Sequence, residues 1–336
     1  MSIKAYQIVL AARPNGAPCL ADFRMERTIV PELEAGQVLL AARYLSLDPY
    51  MRGWMEDRKS YMTPLALGAV LGGEVIAEVL QSRHTEFFVG DHVLSHMGWR
   101  SHGISDGARL TKLDARYNPV TTALGVLGMP GLTAYTGLTN IGVPKPGETV
   151  VVAAASGPVG SLVGQIARIN GARVVGIAGG AAKTAYVKDD LLFDAAIDHR
   201  APSFAEDLAA VCPKGIDVYF ELVGGRVWQA VLPLLNKFAR VPVCGLIAQY
   251  NGSKDDHADI LSHTMREILT QSLLLRGFIV DEFDDQVPEF QEKVGGWVAE
   301  GKIRFKEDIV EGLERAPEAF IGLLEGRNFG KLLVKL

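Results

Sequence analysis

Cysteine is scarce in this chain. Its 336 residues include three, Cys19, Cys212 and Cys244, with no C-x-x-C pair among them. That count and spacing exclude a disulfide framework and a cysteine-based zinc site. They suit a reducing, intracellular compartment. A dominant charge sign is lacking too: 34 Lys and Arg stand against 39 Asp and Glu, a net charge of −5. Such a balance argues against nucleic acid or an anionic membrane as the main partner. No apolar run approaches the roughly 20 residues that a bilayer-spanning helix needs. The opening MSIKAYQIVLAARP has no signal-peptide architecture, so a cytoplasmic location is expected. Internal repeats and low-complexity tracts are absent as well.

What is present is an ordinary globular composition, 48% hydrophobic and 22% charged, in a chain longer than one core usually grows to. Two domains are expected. Residues 1 to 125 read as β-rich: GQVLLAARYLSLD (36–48), LGGEVIAEVLQS (71–82) and VGDHVLSHMGW (89–99) are β-branched or alternating, separated by Gly and Asp. Short strands with frequent turns suggest a barrel-like unit. The small, apolar LGVLGMPGLTAYTGL (124–138) suits a tightly packed helix. Strand and helix patterns then alternate: a buried strand in VPKPGETVVVAAA (143–155), a helix over 158–171, a strand over 172–179, a helix over 181–191. Strands over 194–198, 216–224 and 240–247, with a helix over 227–236, complete the series. Alternation of this kind implies βαβ units and a parallel sheet. From about residue 300 the β-like texture returns, with one amphipathic helix (316–325) and a closing strand, GKLLVKL. The predicted fold class is therefore α/β. A Rossmann doubly wound parallel sheet (126–304) is inserted into a β-rich, barrel-like catalytic domain (1–125 plus 305–336).

The segment VVVAAASGPVGSLVG (150–164) is read as the phosphate-binding turn of that sheet. The three small-residue slots of a dinucleotide turn fall on Ala155, Gly157 and Gly160. Backbone N–H groups at the start of the following helix, aided by its dipole, would hold the phosphates. The context that such a motif needs is present: a strand before it, a helix after it, a second strand one βαβ unit on. An NAD site places an acid at the end of that second strand, against the ribose 2′-OH. Here the place reads GIAGGAAK (176–183), with no acid and with Lys183 instead. Room and a cation suit a 2′-phosphate, so NADPH is predicted over NADH.

Taken together, YLSLDPYMRGWM (44–55), LGVLGMPGLTAYTGL (124–138), AAASGPVGSLVGQIARINGARVVGIAGGAAK (153–183), ELVGG (221–225), VPVCGLIAQYNG (241–252), LRGFIV (275–280) and EGRNFGKLL (325–333) resemble one family. It is the zinc-independent medium-chain dehydrogenase/reductases, in their prostaglandin reductase and alkenal double-bond reductase branch. The resemblance covers nearly the whole chain. It implies a GroES-like catalytic domain interrupted by a Rossmann domain, usually a homodimer. The implied activity is ene-reduction: NADPH-dependent reduction of the C=C bond of α,β-unsaturated aldehydes and ketones, a small-molecule enone or enal being the partner. By position it implies that Gly157, Pro158, Val159 and Gly160 hold the pyrophosphate and that Lys183 and His199 face the 2′-phosphate. Cys244, Gly245, Leu246 and on to Tyr250, with Phe278, Ile279 and Val280, line the nicotinamide half, and Asn328 closes on the cofactor. Tyr50, Arg52 and Tyr250 border the substrate. Two departures stand out: Leu222 replaces the usual Asn of the ELVGG stretch, and His199 replaces a Tyr common among relatives. A histidine there makes NADPH affinity pH-dependent.

The chemistry follows from what is missing. Zinc relatives carry Cys and His ligands, whereas this chain has Gly73 at the His position of LGGEV and no cysteine cluster. His92, His96 and His102 read as scattered histidines, and no metal is expected. Tyr250 to Lys254 (YNGSK) spells Y-x-x-x-K, but Asn251-Gly252 inserts a turn signal. Tyr250 is therefore a loop residue and Lys254 a surface one. Reducing an enone requires hydride delivery to the β-carbon and a hydrogen-bond donor for the developing enolate oxygen. Tyr250 is the first choice for that donor. Tyr50 and Arg52 either clamp the substrate carbonyl or serve as a structural aromatic and an ion-paired arginine. Met129, with Pro130, either walls the nicotinamide site or packs a helix start. Cys244 reads as a buried strand residue, not a nucleophile. A quinone reductase and a non-catalytic NADPH-binding protein are the alternative functions.

Overall fold

The computed structural model describes residues 3–252 and 260–336; Lys254 lies outside them. The chain divides into two compact units, residues 1–124 with 307–336, and residues 125–306.

The first unit opens with β1 (Ile3–Leu10) and β2 (Phe23–Val30), an antiparallel pair, followed by β3 (Val38–Ser46). A short helix α1 (Met51–Trp54) leads to β4 (Val75–Ser82), β5 (His92–Ser95), β6 (His102–Ser105) and β7 (Thr111–Lys112). The strand expected over 89–99 is confined to β5. Gly98 takes φ +73, and a Cβ there would lie 2.3 Å from the Leu71 carbonyl oxygen, so the chain has to leave the strand before it.

The second unit begins with α2 (Met129–Thr136), then β8 (Thr149–Val152), α3 (Pro158–Ile169), β9 (Arg173–Ala178), α4 (Ala181–Ala185) and β10 (Ala195–Asp198). It continues through α5 (Phe204–Val211), β11 (Ile216–Phe220), α6 (Gly225–Val231), β12 (Leu235–Val243), α7 (Ile260–Thr270), β13 (Leu274–Gly277) and α8 (Val287–Ala299). The helix expected over 227–236 stops early because Pro233 supplies no backbone N–H, and β12 has begun by Leu235. Likewise α2 starts only at Met129, because the chain doubles back before it. A Cβ on Gly131 would sit 2.1 Å from the Val126 carbonyl oxygen.

These six strands form a parallel sheet in the order β10-β9-β8-β11-β12-β13. That is the 3-2-1-4-5-6 order of a doubly wound dinucleotide fold, with its reversal between β8 and β11. β8 is TVVV and fully buried, as a central strand covered on both faces should be. Its neighbours are in register at Val151 with Val175 and Tyr219. Gly164 of α3 lets the helix lie against the Phe193 ring, whose nearest atom is 1.9 Å from where a Cβ would stand.

The chain then returns to the first unit as β14 (Glu307–Glu311), α9 (Ala316–Leu324) and β15 (Lys331–Lys335). β15 pairs antiparallel with β3, so the closing strand completes the seven-stranded sheet of the opening segment. Phe23, Trp99 and Phe320 centre the core of this unit: the first two rings stack at 5.9 Å and Phe320 meets both edge-on.

Candidate active site

In an open parallel sheet, ligands sit outside the carboxyl ends of the strands where the strand order reverses. Three loops emerge there: Ala153 to Gly157 after β8, Glu221 to Gly224 after β11, and Cys244 to Tyr250 after β12. Gly157 caps α3 with extended backbone and Pro158 occupies the first turn, leaving early N–H groups without helical acceptors. Gly160 is required for the close fit. Its Cβ would fall 2.5 Å from the Ala154 carbonyl oxygen and 2.8 Å from that of Ala153. The cradle thus has the shape and the donors that a pyrophosphate needs.

Glu221 ties the second and third loops together. Its buried carboxylate accepts from the Tyr219 hydroxyl (2.9 Å) and from the N–H groups of Val223 (2.7 Å) and Gly224 (2.8 Å). Its carbonyl oxygen accepts from the N–H groups of Cys244 (3.0 Å) and Gly245 (3.2 Å). Burial pushes the carboxyl pKa up, opposed by the N–H donors. Leu222, at the departure from the family pattern, sends its half-buried side chain into the neighbouring apolar cluster. Tyr250 ends the third loop, half-buried, with its hydroxyl beside the Gly245–Leu246 backbone. Burial raises its pKa above 10, so the phenol keeps its proton at neutral pH. Cys244 is half-buried and lies just past the end of β12, not in the buried strand expected for it; burial pushes its thiol up to about 12.

At the carboxyl end of β9, Gly179 and Gly180 form the acid-free turn, and Lys183 lies on α4, half-buried. Over that turn stand His199 and Arg200, from the end of β10. A Cβ on Gly179 would meet His199 Nε2 at 2.8 Å and Arg200 Nε at 3.0 Å. Burial lowers the His199 pKa, and Arg200 lowers it further. Gly157 to Gly160, Lys183, His199 and Cys244 to Tyr250 therefore all sit at the carboxyl ends of this sheet. Phe278 sits differently: its side chain is buried against Gly137 and Phe220, and Ile279 and Val280 are the outward-facing members of its segment. Met129 is half-buried at the first turn of α2, where the Thr133 hydroxyl donates to its carbonyl oxygen at 2.8 Å.

The remaining residues belong to the first unit. Tyr50 is half-buried, its ring 4.8 Å from that of Trp54. Arg52 takes the ion-paired arrangement: it is 2% exposed, 3.1 Å from Glu56, and donates to the Gly16 carbonyl oxygen at 2.8 Å. Asn328 donates to the Gly330 carbonyl oxygen at 2.9 Å. The loop bearing Tyr50 is anchored from below. The Lys331 ammonium, on β15, contacts the Asp48 carboxylate at 2.5 Å and the Leu47 carbonyl oxygen at 3.1 Å, and the Ser46 hydroxyl completes the group. At Gly73, a side chain would run into Met51 at 2.9 Å and Leu45 at 3.2 Å, so apolar packing fills the place of a metal-ligating histidine. Among the described residues no group of three or more His, Cys, Asp or Glu could hold a metal ion.

Residues 6–113 match a family described as the N-terminal domain of oxidoreductase, and residues 158–294 one described as zinc-binding dehydrogenase. The NADPH-dependent curcumin reductase of Escherichia coli is 51% identical over 98% of this chain and 96% of its own length. This chain belongs to the medium-chain dehydrogenase/reductases, in the zinc-independent branch. Prostaglandin reductase 1 of Rattus norvegicus is 42% identical over 96% of each chain. A crystal structure of CurA from Vibrio vulnificus in complex with NADPH superposes with a TM-score of 0.95, at 50% identity over 98% of each chain.

Sequence reasoning missed Arg200, Glu221 and the Asp48–Lys331 pair. Arg200 is recognisable only once the ends of β9 and β10 are known to be neighbours, which needs the register of Ala178 with Asp198.

Proposed function

We propose that this chain is an NADPH-dependent reductase of the C=C bond conjugated to an aldehyde or ketone, working in the cytoplasm as a homodimer. Residues 125–306 hold the cofactor and the remainder supplies the substrate-facing residues, Tyr50 among them. When bound, NADPH supplies the hydride that the substrate β-carbon accepts. Tyr250 donates a hydrogen bond to the carbonyl oxygen as negative charge collects there. The α-carbon then takes a proton from solvent or from Tyr250, completing the addition of one hydride and one proton. The observation that carries this reading is the place of the Tyr250 hydroxyl, on the loop after β12 and beside the Gly245–Leu246 backbone, next to the strand-order reversal. A panel of enals, enones, quinones and saturated ketones, followed by NADPH and NADH consumption, tests it. Turnover with NADPH on enals and enones is expected; preference for NADH, or activity confined to saturated ketones, overturns it.

Cofactor affinity should depend on pH through His199. In the free protein burial lowers its pKa, Arg200, Arg226 and Lys183 lower it further, and Asp198 opposes them; it is neutral at pH 7. A phosphate dianion beside it favours the imidazolium, so binding takes up a proton. Affinity is then fully present below the free-state pKa and declines as pH rises through the bound-state value. From pH 6.5 to 8.5 the NADPH Kd is expected to rise by up to about tenfold, one pKa unit of coupling. The NADH Kd should stay level, and His199→Gln should flatten the NADPH profile. A level profile in the unaltered protein removes this role.

The dimer reading rests on the far edge of the sheet. β13 has a neighbour on one side only among the described residues. On α7, Leu261, Met265 and Leu269 recur every fourth residue, hence on one face, and each is more than half exposed. An open edge beside an apolar stripe suits twofold pairing with a second copy. Sedimentation at micromolar concentration should give the dimer mass; a monomer would refute it.

A further inference from the structure

Gly179 and Gly180 differ in why they are glycine. Gly180 has φ +91, a conformation that side chains resist. Gly179 has no such constraint; what it provides is space, filled by His199 and Arg200. The guanidinium of Arg200 lies across it and comes within 3.8 Å of where a Gly180 Cβ would be. The backbone beneath is fixed: the Asp198 carboxylate accepts from the N–H groups of Gly180 and Arg200, both at 2.9 Å. That engages Asp198 with the turn itself, where its N–H donors hold its pKa low. Arg226, by contrast, donates to the Ala201 carbonyl oxygen and lies over the Phe204 ring. The Arg200 guanidinium is exposed and makes no hydrogen bond or ion pair among the described residues.

We propose that Arg200 grips the 2′-phosphate of NADPH and is the main residue discriminating against NADH, with Lys183 and His199 in support. The proposal rests on the NADPH reading above. A guanidinium offers two parallel N–H donors to two phosphate oxygens, which an ammonium cannot match. Its position over a side-chain-free residue places that fork where a NAD-binding turn would carry its acid.

The test is calorimetric titration of the full chain with 2′,5′-ADP and 5′-AMP, which differ only by the 2′-phosphate and need no turnover. The unaltered protein should prefer 2′,5′-ADP. Arg200→Ala should weaken 2′,5′-ADP about 10- to 100-fold, the range for charge-assisted hydrogen bonds, and leave 5′-AMP unchanged. Arg200→Lys should fall between. Gly179→Ala, which crowds the guanidinium but keeps it, should reduce the same preference. An Arg200→Ala protein that binds 2′,5′-ADP normally overturns the proposal, as does one that loses both ligands equally, which would mean adenine stacking. Equal affinity of the unaltered protein for both ligands would instead sink the NADPH reading, and this inference with it.

Discussion

Replacing Tyr250 with Phe is expected to lower kcat for enone reduction about 100- to 1,000-fold, the usual cost of removing one donor from a developing oxyanion. NADPH affinity should be unaltered, because the ring and the loop after β12 remain. An interaction made only in the transition state lowers kcat and kcat/KM together, and that pairing is the signature to look for. Burial raises the phenol pKa above 10, so the donor stays protonated over the working range and should add no inflection to the rate profile between pH 6 and 9. Full turnover by the variant would remove Tyr250 from the chemistry and transfer the oxyanion to another donor.

Breaking the buried Asp48–Lys331 pair should strongly destabilise the first unit. The two side chains are 5% and 3% exposed, so neither charge has water to fall back on. Lys331→Met leaves a buried carboxylate with the Ser46 hydroxyl as its remaining side-chain partner, an expected loss of about 3 to 5 kcal/mol. Substituting both residues, Lys331→Met with Asp48→Leu, removes the stranded charge and should recover most of that loss. Urea denaturation of the two variants against the unaltered protein reads both. A single variant as stable as the parent would show that the pair is not closed to solvent. The pair joins the last strand to the loop carrying Tyr50; with Tyr50 facing substrate as proposed, the single variant should also raise KM more than it lowers kcat.

The sheet was legible because its strands announce themselves. TVVV and RVVGIA are apolar throughout, which a strand covered on both faces requires, and the turn after the first has small residues at the three needed places. Element ends were less legible. Where Gly98 ends a strand is settled by a residue far along the chain, since a Cβ there would meet the Leu71 carbonyl oxygen. Site residues divide in the same way. The residues proposed for the nucleotide, Gly157, Gly160 and Lys183, lie within and just after the β8–α3–β9 unit, where local spacing suggests them. Arg200 meets Gly179 across two strand ends and Lys331 meets Asp48 across 283 residues of sequence, distances at which no local pattern carries information. Arg52 shows the converse: its motif leaves a substrate clamp and an ion-paired arginine both open, and the structure adds the partners, Glu56 and the Gly16 carbonyl oxygen, that the sequence does not name.

The raised thiol pKa values bear on how a protein with the proposed activity withstands its substrates. The proposed substrates are soft electrophiles, and the species they alkylate is the thiolate. With Cys244 pushed up to about 12 and Cys212 to about 11 by burial, the anionic fraction at pH 7 is about one part in 100,000 and one in 10,000. On the proposed reading Cys244 borders the nicotinamide, and its raised pKa makes it a poor nucleophile at that position. Exposed Cys19 is left as the place where adducts should collect. Chemical endurance is in this way a property of burial, obtained without removing the cysteine.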